Sequence, residues 1–164
     1  MNLGKLLLRG YILGAVGGLT GTIIAALIHV LVFIFSNGIE IYLQNWDYPK
    51  YIIGAGIVIS FIPSGLAGVF LAFLLWLDFR RERLTVKRAL FTGGGLGLGG
   101  TLILFGLLLL SPLGAGYLRM DGWGQVAYLF GPSLIGVLIG RWAGITLAKL
   151  ILNDKGDKDE RGDF

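Results

Sequence analysis

Four long apolar runs decide what this chain can fold into. They extend over Tyr11–Phe35, Tyr51–Leu77, Ala89–Leu110 and Val126–Leu152, with lengths of 25, 27, 22 and 27 residues. A helix needs roughly 20 apolar residues to cross about 30 Å of hydrocarbon. Lipid offers no partner to an open sheet edge, and the runs lack the alternation of barrel strands, so each run is expected to be a helix. The composition agrees: 55% of the residues are hydrophobic and 15% charged, with a mean hydropathy of +0.78. A water-soluble monomer of 164 residues is excluded on these grounds. The chain has no cysteine, which removes disulfides, thiolate metal sites and cysteine nucleophiles from consideration.

The connecting segments carry an orientation signal. Lys5 and Arg9 precede the first run, Arg80, Arg81, Arg83, Lys87 and Arg88 separate the second from the third, and Lys149, Lys155, Lys158 and Arg161 close the fourth. Only Lys50 and Arg119 lie on the other side. The positive-inside rule places both termini and the middle loop in the cytoplasm of a cell or inner membrane. Trp46, Tyr48, Trp123 and Tyr128 near outer ends, and Tyr11 and Trp76 near inner ends, fit interfacial aromatic belts. The first run is too long for the apolar region of a secretory signal and lacks a convincing small-x-small cleavage site, so it reads as a retained helix. The basic cluster Arg80, Arg81, Arg83, Lys87 and Arg88 is expected to meet anionic lipid headgroups, and Asp78 to Arg88 to prolong the second helix along the surface. Residues 154–164, rich in charge, read as a disordered cytoplasmic tail after a membrane domain over 1–153.

Glycine makes up 28 of the 164 residues, well above the usual ~7%. An offset of 79 residues aligns Arg9, Gly14, Gly18, Leu19, Gly21 and Thr22 with Arg88, Gly93, Gly97, Leu98, Gly100 and Thr101, the shared pattern being R-x4-G-x3-G-L-x-G-T. Pro63-Ser64 followed by Gly68-Val69 matches Pro132-Ser133 followed by Gly136-Val137. Both matches join runs that cross in the same direction, so the expected fold is all-α: a polytopic membrane protein whose four transmembrane helices form two parallel-repeat hairpins, about 9–78 and 88–150. Gly14, Gly18 and Gly21 fall on one face of the first helix, Gly93, Gly97 and Gly100 on that of the third, and Gly136, Gly140 and Gly144 on that of the fourth. Such ridges let helix backbones approach closely, within one chain or between chains. The proline-serine pairs read as kinks, the serine hydroxyl refilling bonds that proline breaks.

Gly95, Gly97 and Gly100 also spell G-x-G-x-x-G, with Asp121 further on, yet a dinucleotide site needs a strand before the glycines. No nucleotide or other cofactor is expected, and no nucleic-acid partner. Two polar residues inside the runs are candidate sites. Arg141 lies eight residues before Lys149, about 12 Å into the membrane, and reads as a binding point for an anion, lipid headgroup or proton-linked substrate, or as a side chain that bonds carbonyls at a break in a neighbouring helix or snorkels to phosphates. His29, the single histidine, reads as a titrating relay or a hydrated helix-end residue. No run holds a carboxylate, and no set of residues converges for nucleophilic or metal chemistry, so an enzyme is not expected. The expected function is a small structural or assembly subunit of a membrane complex, packed against a second copy or a membrane-protein partner. The alternative is an oligomeric channel or small transporter.

Overall fold

A computed structural model describes residues 2–37, 39–40, 47–109 and 122–161, and every long element among them is helical. Helix α1 spans Leu3–Asn37, α2 Asp47–Arg80, α3 Val86–Leu109 and α4 Gly122–Arg161. At 1.5 Å per residue each exceeds the thickness of a bilayer core. Among the described residues, three segments are long and apolar enough to cross a membrane: Leu3–Ile28, Phe61–Arg80 and Phe130–Asp154. Helix α4 continues to Arg161, into the segment whose composition suggested a solvated tail. Acidic residues there precede basic ones by four positions, Asp154 before Lys158 and Asp157 before Arg161, a spacing that supports helix.

Contacts between helices give the topology. Gly10 and Gly14 of α1 lie against Gly68 and the carbonyl of Ser64 on α2, so these helices run antiparallel. Gly93 and Gly97 of α3 lie against the carbonyls of Gly140 and Gly136 on α4, again antiparallel. The two hairpins meet where Ile139 and Ile135 of α4 reach Gly17 and Gly21 of α1. The start of α1, the α2–α3 turn and the later part of α4 therefore share one end of the bundle.

That end holds the core. Leu6, Leu75, Leu147 and Ile151 are fully enclosed, and Ala72, Ala89, Ala143 and Ala148 fill the gaps between them. The outward faces carry larger apolar groups such as Leu27, Ile103 and Phe130, the last two 66% exposed. Glycine at the helix crossings and large apolar groups on the outer faces depart from the arrangement favoured in water. The arrangement suits lipid, where close van der Waals packing and not hydrophobic expulsion holds helices together. Fold and surface are consistent with a membrane protein.

The α2–α3 turn corrects the expectation of a surface helix over Asp78–Arg88. Helix α2 stops at Arg80 because Glu82 takes a left-handed conformation, φ 56°. The Arg83 amide donates to the Asp78 carbonyl at 2.8 Å, and the Glu82 amide to the Phe79 carbonyl at 3.0 Å. This is a Schellman ending with glutamate where glycine is usual. The Thr85 hydroxyl accepts from the Arg88 amide at 3.1 Å and caps α3. Arg88 Nε donates to Asp78 Oδ2 at 2.7 Å across the turn, and Leu84, 9% exposed, anchors the loop in the core.

The two hairpins do not superpose in the register of both sequence matches. Gly14 faces Ser64, whereas its aligned residue Gly93 faces Gly140, seven residues beyond Ser133. Keeping Gly14 on Gly93 thus shifts the proline-serine pairs by two helical turns. One local feature does recur at aligned positions: the Thr22 hydroxyl donates to the Gly18 carbonyl at 3.0 Å, and the Thr101 hydroxyl to the Gly97 carbonyl at 2.8 Å.

Candidate functional site

The helix glycines fall into three groups, two of which include those expected to pack. Those at the hairpin crossings allow backbone to touch backbone: a Cβ on Gly93, Gly97, Gly140 or Gly144 would overlap a carbonyl of the facing helix. Gly136 is closed by the Thr101 hydroxyl and the Gly97 carbonyl together. In α1, Gly10, Gly14, Gly17 and Gly21 lie within about 60° of one another around the axis, and this face changes partner along its length. Its lower part meets α2 and its upper part receives Ile139, whose Cγ2 and Cδ1 stand 2.5 and 2.7 Å from where Cβ atoms of Gly17 and Gly21 would be. Gly17 was not singled out by the repeat pattern, though its spacing of four from Gly21 is a usable signal. At Gly100, among the described residues, nothing lies within 4 Å of the Cβ position.

The third group is open. Gly95, Gly99 and Gly106 have free space where a Cβ would stand, and they lie within about 40° of one another, on the side of α3 away from Gly93 and Gly97. Phe91 and Ile103 flank them, both exposed.

The paired prolines lie inside α2 and α4, which remain helical through them. Proline supplies no N–H to the carbonyl four residues earlier. Ser64 is half-buried, and its carbonyl abuts Gly14. Ser133 is 8% exposed and has a partner within the protein. The equivalent sequence pairs therefore stand in different surroundings: Ser64 at a helix crossing, Ser133 at the floor of an apolar groove.

Arg141 is exposed on α4, and its stem lies across Gly94 of α3. The Cβ position of Gly94 is 3.1 Å from Arg141 Cγ and 3.2 Å from Nε, and Gly94 is buried beneath it. Among the described residues no acidic group pairs with Arg141. Trp142 beside it is 47% exposed. The sequence singled out Arg141 but not its seat, because a lone glycine among many gives no sign of which side chain crosses it. The side chain of His29 lies outside the described residues; its backbone belongs to α1.

One turn from Arg141 and Gly94 begins a groove of about 280 Å³ between α3 and α4, lined by Leu98, Leu102, Phe130, Ser133, Leu134 and Val137. At the bundle end, the Arg80 guanidinium stands 5.0 Å above the Trp76 ring, and Trp76 stacks on Phe73 at 6.1 Å. Tyr11 meets Phe61 edge-on at 6.2 Å and covers Gly65. Among the described residues no group of three metal-ligating side chains gathers. Comparison with protein-family models, curated proteins and solved structures returned no match.

Proposed function

We propose that this chain is a small integral membrane protein with four crossings, both termini in the cytoplasm, acting without catalysis as a structural or assembly subunit of a membrane complex. Helix α3 supplies the fourth crossing: its 24 residues are about 36 Å long. The basic residues of the α2–α3 turn gather at the end that also carries Lys5 and Arg9, as the positive-inside rule requires.

The observation that carries this reading is the division of the glycines. One set is consumed in the crossings of the chain's own helices, while Gly95, Gly99 and Gly106 share a face of α3 on which, among the described residues, nothing stands within 4 Å of their Cβ positions. Such a face admits another helix at close range in lipid. The enclosed core of leucine, isoleucine and alanine leaves no polar path through that end of one copy, which favours packing over conduction. The sequence repeat of α1 and α3 supports a duplicated origin for the helices that carry the glycine faces.

Purification in mild detergent tests the reading. A stoichiometric membrane protein, or a defined homo-oligomer, is expected to accompany the wild type and to be lost from Gly99→Leu while the chain itself stays folded. A wild-type monomer without partner, or an association indifferent to Gly99→Leu, would remove the α3 face from the account.

A further inference from the structure

The α3–α4 surface combines three features that the packing role does not use. Arg141 carries a charge roughly 12 Å from Lys149 along α4, exposed and with no acidic partner among the described residues. Its stem rests in the notch that Gly94 leaves, so the guanidinium is guided across α3 and not left free to sweep. Immediately deeper on the same face, Val137 and Leu134 follow Arg141 at spacings of four and seven residues, as Leu98 and Leu102 follow Gly94 at four and eight. These residues line the apolar groove.

A cation one helical turn from an apolar groove fits an amphiphile with an anionic head and a hydrocarbon tail. We propose that this face is a binding site for an anionic phospholipid of the leaflet nearest the α2–α3 turn, its phosphate on Arg141 and an acyl chain along the groove. Long basic side chains reach toward the headgroup layer with their stems in hydrocarbon, and a guanidinium matches phosphate oxygens with paired N–H donors. An arginine at membrane depth lacking a carboxylate is costly in lipid, and a phosphate at this point lowers that cost. Ser133 is buried and already has a partner within the protein, and the other residues lining the groove are apolar, so an acyl chain meets an apolar surface. This site depends on membrane location alone and not on any partner at Gly99, so its failure leaves the subunit reading standing.

Trp142, exposed beside Arg141, is a built-in reporter. With Trp46, Trp76 and Trp123 changed to phenylalanine, the protein is placed in vesicles containing phosphatidylglycerol or phosphatidylcholine brominated near the glycerol end of one chain. The brominated anionic lipid is expected to quench Trp142 at a mole fraction roughly fivefold lower, the preference one basic residue near the surface confers. Arg141→Gln should abolish that preference, Arg141→Lys should retain most of it, and Gly94→Val, which keeps the charge but fills the notch, should reduce it. Circular dichroism and a monodisperse elution profile establish that each variant is folded. Equal quenching by the two lipids, or a preference that persists in Arg141→Gln, would overturn the site and assign any selectivity to the basic turn. Loss of the preference on adding inorganic phosphate, at ionic strength matched with chloride, would overturn it in favour of a soluble anion.

Discussion

Replacing Gly97 with alanine should weaken the bundle, whereas the same change at Gly99, two residues along the same helix, should not. A Cβ on Gly97 overlaps the carbonyl oxygen of Gly136 and stands 2.7 Å from its carbon. Backbone cannot swing aside as a side-chain tip does, so α3 and α4 must separate locally. Overpacking of this kind costs about 1–3 kcal/mol. Alanine returns up to about 1 kcal/mol through its better helix propensity, leaving a net loss on the order of 1–2 kcal/mol. At Gly99 the space is open, so only the propensity gain remains and the variant should match or slightly exceed the wild type. Unfolding in mixed micelles with increasing dodecyl sulfate, followed by tryptophan emission, measures both on one scale. Equal stabilities for the two variants, or a more stable Gly97→Ala, would refute the close crossing of α3 and α4.

Other outcomes follow from the turn and the hairpin contact. Thr85→Ala should cost about 1 kcal/mol by leaving the Arg88 amide uncapped, seen as a lower unfolding midpoint in the same micelle titration. Glu82→Gly should stabilise by roughly 0.5–1 kcal/mol, since relief of the left-handed conformation outweighs the added freedom of the unfolded chain; an unchanged or lower midpoint would contradict the Schellman geometry. The Asp78–Arg88 pair is half exposed on the arginine side, 49%, so Arg88→Gln should cost at most about 1 kcal/mol and less as salt is raised. Ile139→Ala should leave both hairpins intact but loosen their junction at Gly17 and Gly21, detectable as faster amide exchange in α1 around those glycines without loss of helix content.

The four helices were legible because runs of more than twenty apolar residues leave a chain few choices. Their partners were less so. Helical spacing puts Gly14 and Gly21 on one face, but which helix meets each depends on the crossing angle, and the α1 face passes from Ser64 and Gly68 to Ile135 and Ile139. The proline-serine match misled for a related reason. Two identical pairs can stand at different heights relative to the crossing, and only the contact of Gly93 with Gly140 reveals the two-turn displacement. The end of α2 was hidden because Glu82 is an unusual residue for a left-handed position. Arg141 stood out as a charge in an apolar run, while Gly94 became meaningful once a neighbouring helix supplied the side chain that needs its missing Cβ.

The central claim is that these helices cross a bilayer, and cysteine labelling tests it most directly because the chain has no native thiol. Asn37 ends α1 and Thr85 precedes α3, with the whole of α2 between them. In sealed cells or right-side-out vesicles, a membrane-impermeant maleimide should label Asn37→Cys at once and Thr85→Cys only after the membrane is opened. Labelling of both positions from the same side would contradict a crossing by α2, and with it the membrane bundle.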